Sequence, residues 1–157
     1  MSQRAAVITV SDRSASGERP DASGPLAVAA LEAADWTVTA AIVPDGADAV
    51  EAALRSALAS GARLVVTTGG TGVAPRDETP EGTRRVIERD LPGIAETLRR
   101  VGAAKVPAAV LSRGIAGVAA GALIVNLPGS RGGVADGMPV VLSLAAHVIA
   151  QLDGEDH

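Results

Sequence analysis

The sequence predicts an α/β domain whose mostly parallel sheet is covered by helices on both faces. Three observations carry that expectation. Short apolar runs alternate along the chain with stretches whose apolar residues recur at helical spacing, the pattern of successive βαβ units. The first run, Ala5–Val10 (AAVITV), is short and rich in β-branched residues, as a buried strand should be. A length of 157 residues, 47% of them hydrophobic, suits one domain spanning residues 1–157 with a sizeable core, and is too short for two ordinary ones.

The elements follow in order. Ser11-Asp12 ends the first strand, and a loop rich in Ser, Gly, Pro and Asp leads to a helix over Gly24–Ala34. Trp36–Val43 reads as the second strand, stopped by Pro44-Asp45-Gly46. Val50, Ala53, Leu54, Ala57 and Leu58 fall on one helical face, which predicts a helix over Ala47–Ser60 ended by Gly61. Arg63–Thr68 is the third strand. Pro80–Arg89 reads as a helix with Pro early in its first turn, followed by short helical pieces at Gly93–Val101 and Pro107–Ser112. Ile115–Val118 and Ala122–Asn126 read as two short strands paired about the Ala119–Gly121 turn. A long apolar helix, Val134–Leu152, closes the domain.

In open α/β sheets, ligands sit beyond the carboxyl ends of the strands. Four loops leave predicted strand ends: Ser11–Ser23, Pro44–Gly46, Thr68–Thr79 and Leu127–Gly133. All four are rich in Gly, Asp, Ser or Arg, so topology alone predicts that they form one rim. Composition narrows the ligand. A net charge of −4 argues against a general nucleic-acid binder. Absence of cysteine excludes disulfides and thiolate metal sites. Trp36 is the only aromatic residue, so a flat heterocycle would be gripped by backbone, hydroxyls and aliphatic side chains. The apolar runs stop short of the roughly 20 residues of a membrane span, and MSQRAAVITV passes from one Arg straight into a strand. The expectation is a cytoplasmic protein with neither membrane nor nucleic-acid partners.

The loops carry the candidate chemistry. In Gly69-Gly70-Thr71-Gly72, glycines after a strand let backbone N–H groups approach an anion; a tight turn at positive φ is the alternative. No Lys-Ser/Thr pair follows, so this is not a Walker A loop. Arg76, Asp77 and Thr79 favour the first reading, because guanidinium, carboxylate and hydroxyl are the groups of a metal–phosphate site. Asp45 and Asp77 both sit in loops leaving strands, and Mg²⁺ takes one or two carboxylates alongside substrate phosphate oxygens. Taken singly, Asp45 in Pro-Asp-Gly is a turn residue and Asp77 a helix cap. Small residues in Leu127–Gly133 precede a helix and present N–H groups to an anion, or Ser130 merely caps it. Arg13, Arg19, Arg76, Arg113 and Arg131 fall in or beside the rim and suggest a ligand with several negative charges. Arg84, Arg85, Arg89, Arg99 and Arg100, mixed with Glu88 and Glu96, read as solvated faces. Neither His147 nor His157 reads as a base or metal ligand, and no Ser/His/Asp triad assembles.

Taken together, VSDRSASGERPDASGPL (Val10–Leu26), VPDG (Val43–Gly46), TTGGTGVAPRDETPE (Thr67–Glu81), LSRGIAGV (Leu111–Val118) and NLPGS (Asn126–Ser130) resemble the MogA/MoaB family of molybdenum cofactor biosynthesis proteins, which includes the gephyrin G domain. The resemblance spans nearly the whole chain. It implies a three-layer α/β/α protomer assembled as a homotrimer. It also implies molybdopterin adenylyltransferase activity: Mg²⁺-dependent transfer of AMP from ATP to the molybdopterin phosphate, with pyrophosphate released. By match, Asp45 and Asp77 are the catalytic, metal-holding carboxylates. Ser11, Asp12, Gly69, Gly70, Thr71, Gly72, Arg76, Pro128, Gly129 and Ser130 fall in ligand-binding motifs, and Ser112 matches a serine that contacts the pterin. A molybdenum insertase is the candidate downstream partner. Gly102 and Val106 depart from the family pattern, which carries hydroxyls there, as does Arg131-Gly132, where relatives often have Pro-Lys. The rival expectations are a paralogue or scaffold that binds molybdopterin without adenylylating it, and a related nucleotide hydrolase with water as acceptor.

Overall fold

The strands lie close to where their apolar runs place them: β1 Arg4–Val10, β2 Thr37–Val43, β3 Leu64–Thr68, β5 Ala116–Ala119 and β6 Ala122–Leu127, joined by a two-residue β4, Arg89–Asp90. In this computed structural model, which describes residues 2–155, they form one six-stranded sheet in the order β2-β1-β3-β6-β5-β4. Met1, Asp156 and His157 lie outside the described residues, and with them the reading of His157. The pairs β2–β1, β1–β3 and β3–β6 are parallel; β6–β5 and β5–β4 are antiparallel.

Alternation inside each strand sorts the core into two layers. In β1, Ala5 and Val7 enter one cluster while Ala6, Ile8 and Val10 enter the other; in β6, Leu123, Val125 and Leu127 oppose Ile124. Helices α2 (Gly24–Ala33), α5 (Pro92–Ala103) and α6 (Arg131–Leu152) cover the first face, and α3 (Ala47–Ala59), aided by α4 (Thr79–Arg84), covers the second. The result is the expected three-layer α/β/α sandwich. By length and composition α6, with 22 residues and a mean hydropathy of 1.6 over an 18-residue window, is apolar enough to cross a membrane, which the broken apolar runs of the sequence did not suggest. Its buried residues Val134, Gly137, Met138, Val141, Ala145 and Ile149 recur at helical spacing, the mark of a core helix.

Three elements differ from expectation, each for a local reason. The helix expected over Pro80–Arg89 stops at Arg84, and Arg89–Asp90 pair with Val118 and Gly117 as β4. Gly117 permits this: a Cβ there would stand 2.5 Å from Arg89 O and 2.6 Å from Ile87 Cγ2. Helix α6 begins three residues early because the Ser130 hydroxyl accepts from the Gly133 N–H at 3.0 Å, overriding the poor helix propensity of Gly132 and Gly133. One helical turn, α1 (Asp12–Ala15), was not foreseen; the Ser11 hydroxyl caps it through the Ser14 N–H.

Candidate functional site

Because β1, β2, β3 and β6 run parallel, their carboxyl ends share one edge of the sheet, and the four expected loops meet there. Ser11 N–H donates to Val43 O at 2.9 Å, and Gly69 N–H to Leu127 O at 3.1 Å. A Cβ on Gly129 would stand 3.2 Å from Gly69 Cα. The antiparallel β5 adds a fifth member. It starts where β6 ends, so the preceding 3₁₀ turn Pro107–Leu111 and the Ser112–Gly114 segment also reach the rim.

The glycine loop is held in the shape its sequence suggested. Gly69 and Gly70 have φ of +94° and +69°, and a Cβ on either would strike Val10 O or Thr79 Oγ1. Thr79 fixes the turn with its hydroxyl on Gly69 O at 2.9 Å and its N–H on Gly70 O at 3.1 Å. Here the tight turn and the ligand-facing loop are one object.

Asp12, Asp45 and Arg76 tie three loops together. The Asp12 N–H donates to Asp45 Oδ2 at 3.0 Å, and the Asp45 N–H returns a bond to Asp12 Oδ1 at 3.1 Å. Arg76 forks onto Asp12, with Nε and Nη2 at 2.6 and 3.0 Å, and Nη2 also donates to Asp45 O at 2.9 Å. The Arg76 fork holds the Asp12 carboxyl below the usual carboxylate range. The Asp45 carboxyl is pushed above it, first by burial and then by the negative charges of Asp12 and Asp77.

The two matched carboxylates face this arrangement with spare capacity. Asp77 Oδ2 accepts the Ala74 N–H at 3.0 Å, and its Oδ1 accepts from no described residue. Asp45 Oδ1 is likewise free among the described residues, and would stand 3.3 Å from a Cβ on Gly70. Two hard oxygen donors whose charges repel across a glycine loop suit a divalent cation that also takes substrate oxygens, so the residues present fit Mg²⁺. Among the described residues no cluster of three or more metal-ligating side chains exists, so any cation here would need ligand or water oxygens to complete its shell.

Beside this rim opens a cavity of about 710 Å³. Its walls are mainly aliphatic, from Leu98, Val106, Ala109 and Leu111, while Thr71, Gly72, Ser112, Pro128 and Ser130 bring polar groups and backbone to its edge. Neither Asp45 nor Asp77 lines it. The compartments meet at Gly72, where a Cβ would stand 2.8 Å from Asp77 Oδ2. Gly102 and Val106 both line the cavity, as does Gly132 of the Arg131-Gly132 departure.

The arginines separate into groups the sequence did not distinguish. Among the described residues Arg13, Arg19 and Arg131 make no side-chain hydrogen bond or ion pair and remain available to an anion. Arg113 is spent within the protein on Glu81, Gly72 O and Asp77 O. Arg99 is not on a solvated face: half-buried, it lines the cavity and donates to Ser112 O and Gly114 O. Arg85, by contrast, pairs with Asp48 and Glu51 on the surface as expected. His147 is exposed beside Gln151, 2.8 Å away, far along α6 from the rim.

Two contributors were not singled out from sequence. Asn126, 3% exposed, donates to Thr67 Oγ1 and Thr83 Oγ1 at 2.9 and 3.0 Å and accepts the Ile115 N–H at 3.2 Å. Glu78 accepts the Ala47 N–H at 2.8 Å, supplying from the carboxylate loop the cap that Gly46 cannot give α3. The second signal was present in the acidic run Asp77-Glu78; the first was hidden because its partners come from distant segments.

Comparison with known proteins places these features in a lineage. Residues 6–147 match a family model described as a probable molybdopterin binding domain. The chain is 40% identical over 154 residues to a molybdenum cofactor biosynthesis bifunctional protein of Synechococcus elongatus, covering 98% of this chain and 48% of that protein. It thus spans about half the length of that relative. It is also 40% identical over 148 residues to a molybdopterin adenylyltransferase of Pyrococcus furiosus, covering 91% and 87% of the two. The solved structure of the molybdopterin biosynthesis Mog protein from Mycobacterium ulcerans superimposes with a TM-score of 0.92 at 42% identity, over 99% of both chains.

Proposed function

The chain belongs to the family described as a probable molybdopterin binding domain, and from that membership we propose that it is a molybdopterin adenylyltransferase. The single observation that carries this reading is the meeting of two compartments at Thr71-Gly72: a rim with two carboxylates on one side, and a cavity without aromatic walls on the other. The first suits the phosphates of ATP and the second a pterin. The name of the Pyrococcus relative supports the same assignment.

The proposed step needs no protein nucleophile. An ionised oxygen of the molybdopterin phosphate bonds to the α-phosphorus of ATP, the bond from that phosphorus to the β-bridging oxygen breaks, and pyrophosphate leaves. Catalysis then consists of positioning and charge neutralisation. Asp45 and Asp77 would hold Mg²⁺ through their free oxygens, and the ion supplies neutralisation of the charge growing on the departing pyrophosphate. Backbone N–H groups of Gly70, Thr71 and Gly72, and of Gly129 and Ser130 in the turn after β6, face phosphate, Ser112 faces the pterin, and the aliphatic cavity wall excludes water from the acceptor. Arg13, Arg19 and Arg131 draw the polyanions to a chain that is net acidic.

The deciding experiment is pyrophosphate release from Mg-ATP with and without molybdopterin, alongside mass detection of the adenylylated pterin. Release that requires pterin and yields the adduct supports the transferase; release without pterin makes the chain a nucleotide hydrolase. Tight pterin binding without adduct would assign the non-catalytic reading and direct attention to Gly102 and Val106, where the family's hydroxyls are missing. The homotrimer belongs to the same proposal: light scattering should give three times the 15.6 kDa chain mass.

A further inference from the structure

Arg113 lies in the rim as expected, yet every nitrogen of its guanidinium is committed to the protein. Nε donates to Gly72 O at 2.8 Å, Nη2 to Asp77 O at 2.7 Å, and Nη1 to Glu81 Oε1 and Oε2 at 3.0 and 2.8 Å. Its own N–H donates to Thr71 O at 2.8 Å. One side chain therefore holds both ends of the 72–77 loop. Those ends bear directly on the carboxylate, since a Cβ on Gly72 would stand 2.8 Å from Asp77 Oδ2. The residue that carries the carboxylate and the residue beneath it hang from the same planar fork.

The loop has few other ties. Asp77 and Ala74 bond to each other through N–H to O and N–H to Oδ2, each at 3.0 Å, which shapes the turn without anchoring it. Arg76 anchors it sideways to Asp12 and Asp45 O. On the opposite flank, Arg99 Nη1 donates to Ser112 O at 3.3 Å and Gly114 O at 2.9 Å, the two carbonyls that bracket Arg113. Arg99, Ser112 and Gly114 all line the cavity. A continuous hydrogen-bonded path thus runs from the cavity wall to the Asp77 backbone.

We propose that Arg113 is a positioning residue for the Asp77 carboxylate, and that Arg99 and Arg113 join the cavity wall and the carboxylate loop into one rigid unit. This rests on the reading of Asp77 as a metal-holding group in adenylyl transfer. A guanidinium does this where an ammonium cannot, because two donors in one plane fix two carbonyls at once. Its charge is matched by Glu81, so it serves geometry and not attraction of the ligand.

The test combines steady-state kinetics with titration of Mn²⁺ into the ATP-bound chain. Misplacing a reacting group by about 1 Å costs on the order of 100-fold in rate, so Arg113→Ala should lower kcat by about that factor while leaving the molybdopterin KM within about threefold. Mn²⁺ should bind Arg113→Ala roughly tenfold more weakly, and Arg113→Lys should fall between the two, because an ammonium holds one carbonyl but not both. Glu81→Gln keeps both carbonyl contacts and should lose less than Arg113→Lys. Wild-type kcat and Mn²⁺ binding in Arg113→Ala would overturn the proposal. So would loss of pterin binding in step with kcat, or a Glu81→Gln defect as large as that of Arg113→Ala. Should Arg113→Ala not fold, Arg113→Lys decides by the same two readouts. A wild-type chain that forms no adduct would overturn the transferase reading separately; Mn²⁺ binding alone then decides, weakened in the variant or not.

Discussion

At the scale of single residues, the rim opposes two carboxylates whose protonation runs in opposite directions. Asp45 keeps its proton more tightly in the folded chain than in the unfolded one, because burial and the neighbouring Asp12 and Asp77 disfavour its charge. Its contribution to stability is therefore complete below the ordinary carboxylate pKa and is lost as pH rises through its raised folded value. Asp45→Asn removes that penalty while its amide oxygen still accepts the Asp12 N–H. The variant should melt above wild type at pH 7, with the gap closing toward about pH 4, and should have lost turnover by roughly 100-fold or more. Thermal melts across pH check the first part and pyrophosphate release the second. Asp12 has the other sign: the Arg76 fork lowers its pKa, so its contribution is present above the ordinary value and lost as pH falls through the lowered one. Asp12→Asn should melt below wild type at pH 7. A carboxylate at Asp45 that costs the fold stability accords with the cation-holding role proposed for it. Asp77→Asn should likewise lose turnover by about 100-fold while molybdopterin binding, measured by titration calorimetry, stays near wild type.

At the scale of elements, Asn126 decides how the sheet end and α4 stay together. Replacing it with Ala leaves buried Thr67 Oγ1 and the half-buried Ile115 N–H short of a partner, while Thr83 Oγ1 loses one donor but keeps its bond to Thr79 O. At about 1–3 kcal/mol for each buried group left unsatisfied, partly relieved by rearrangement, Asn126→Ala should cost roughly 2–4 kcal/mol in urea unfolding. This residue also shows what the sequence reveals and what it hides. Strand runs such as Ala5–Val10 and Leu64–Thr68 were legible because burial on both faces writes itself into every position, and the rim was legible because parallel strands end on one edge. Asn126, Arg99 and the strand at Arg89–Asp90 were not, since each depends on a partner far along the chain. Arg99 has the helical spacing of a solvated residue, and only the return of the Ser112–Gly114 segment turns it inward. Helix propensity over Pro80–Arg89 loses to a pairing that the bare Gly117 backbone makes available.

At the scale of the whole molecule, the two compartments share the Thr71-Gly72 wall while Asp45 and Asp77 belong to the rim alone, and that division has a measurable consequence. The carboxylates lie outside the cavity, so the nucleotide should depend on the cation and the cavity ligand should not. Any ligand that binds only the folded chain stabilises it by about 2.7 kcal/mol at a hundred times its Kd, which for a chain of this length moves the melting temperature by several degrees, roughly 5–10 °C. Mg-ATP and molybdopterin should each produce such a shift. Chelating the metal with EDTA should abolish most of the nucleotide's share and leave the pterin's intact. The shared Thr71-Gly72 wall makes a further demand: because the Arg99–Arg113 path runs through it, ordering the cavity side should ease ordering of the carboxylate loop, and the two ligands together should shift melting by more than the sum of their separate effects. Strict additivity would mean that the compartments are merely neighbours. A pterin shift that vanishes with EDTA would mean that the cation holds both ligands, and the division at Gly72 would then be wrong.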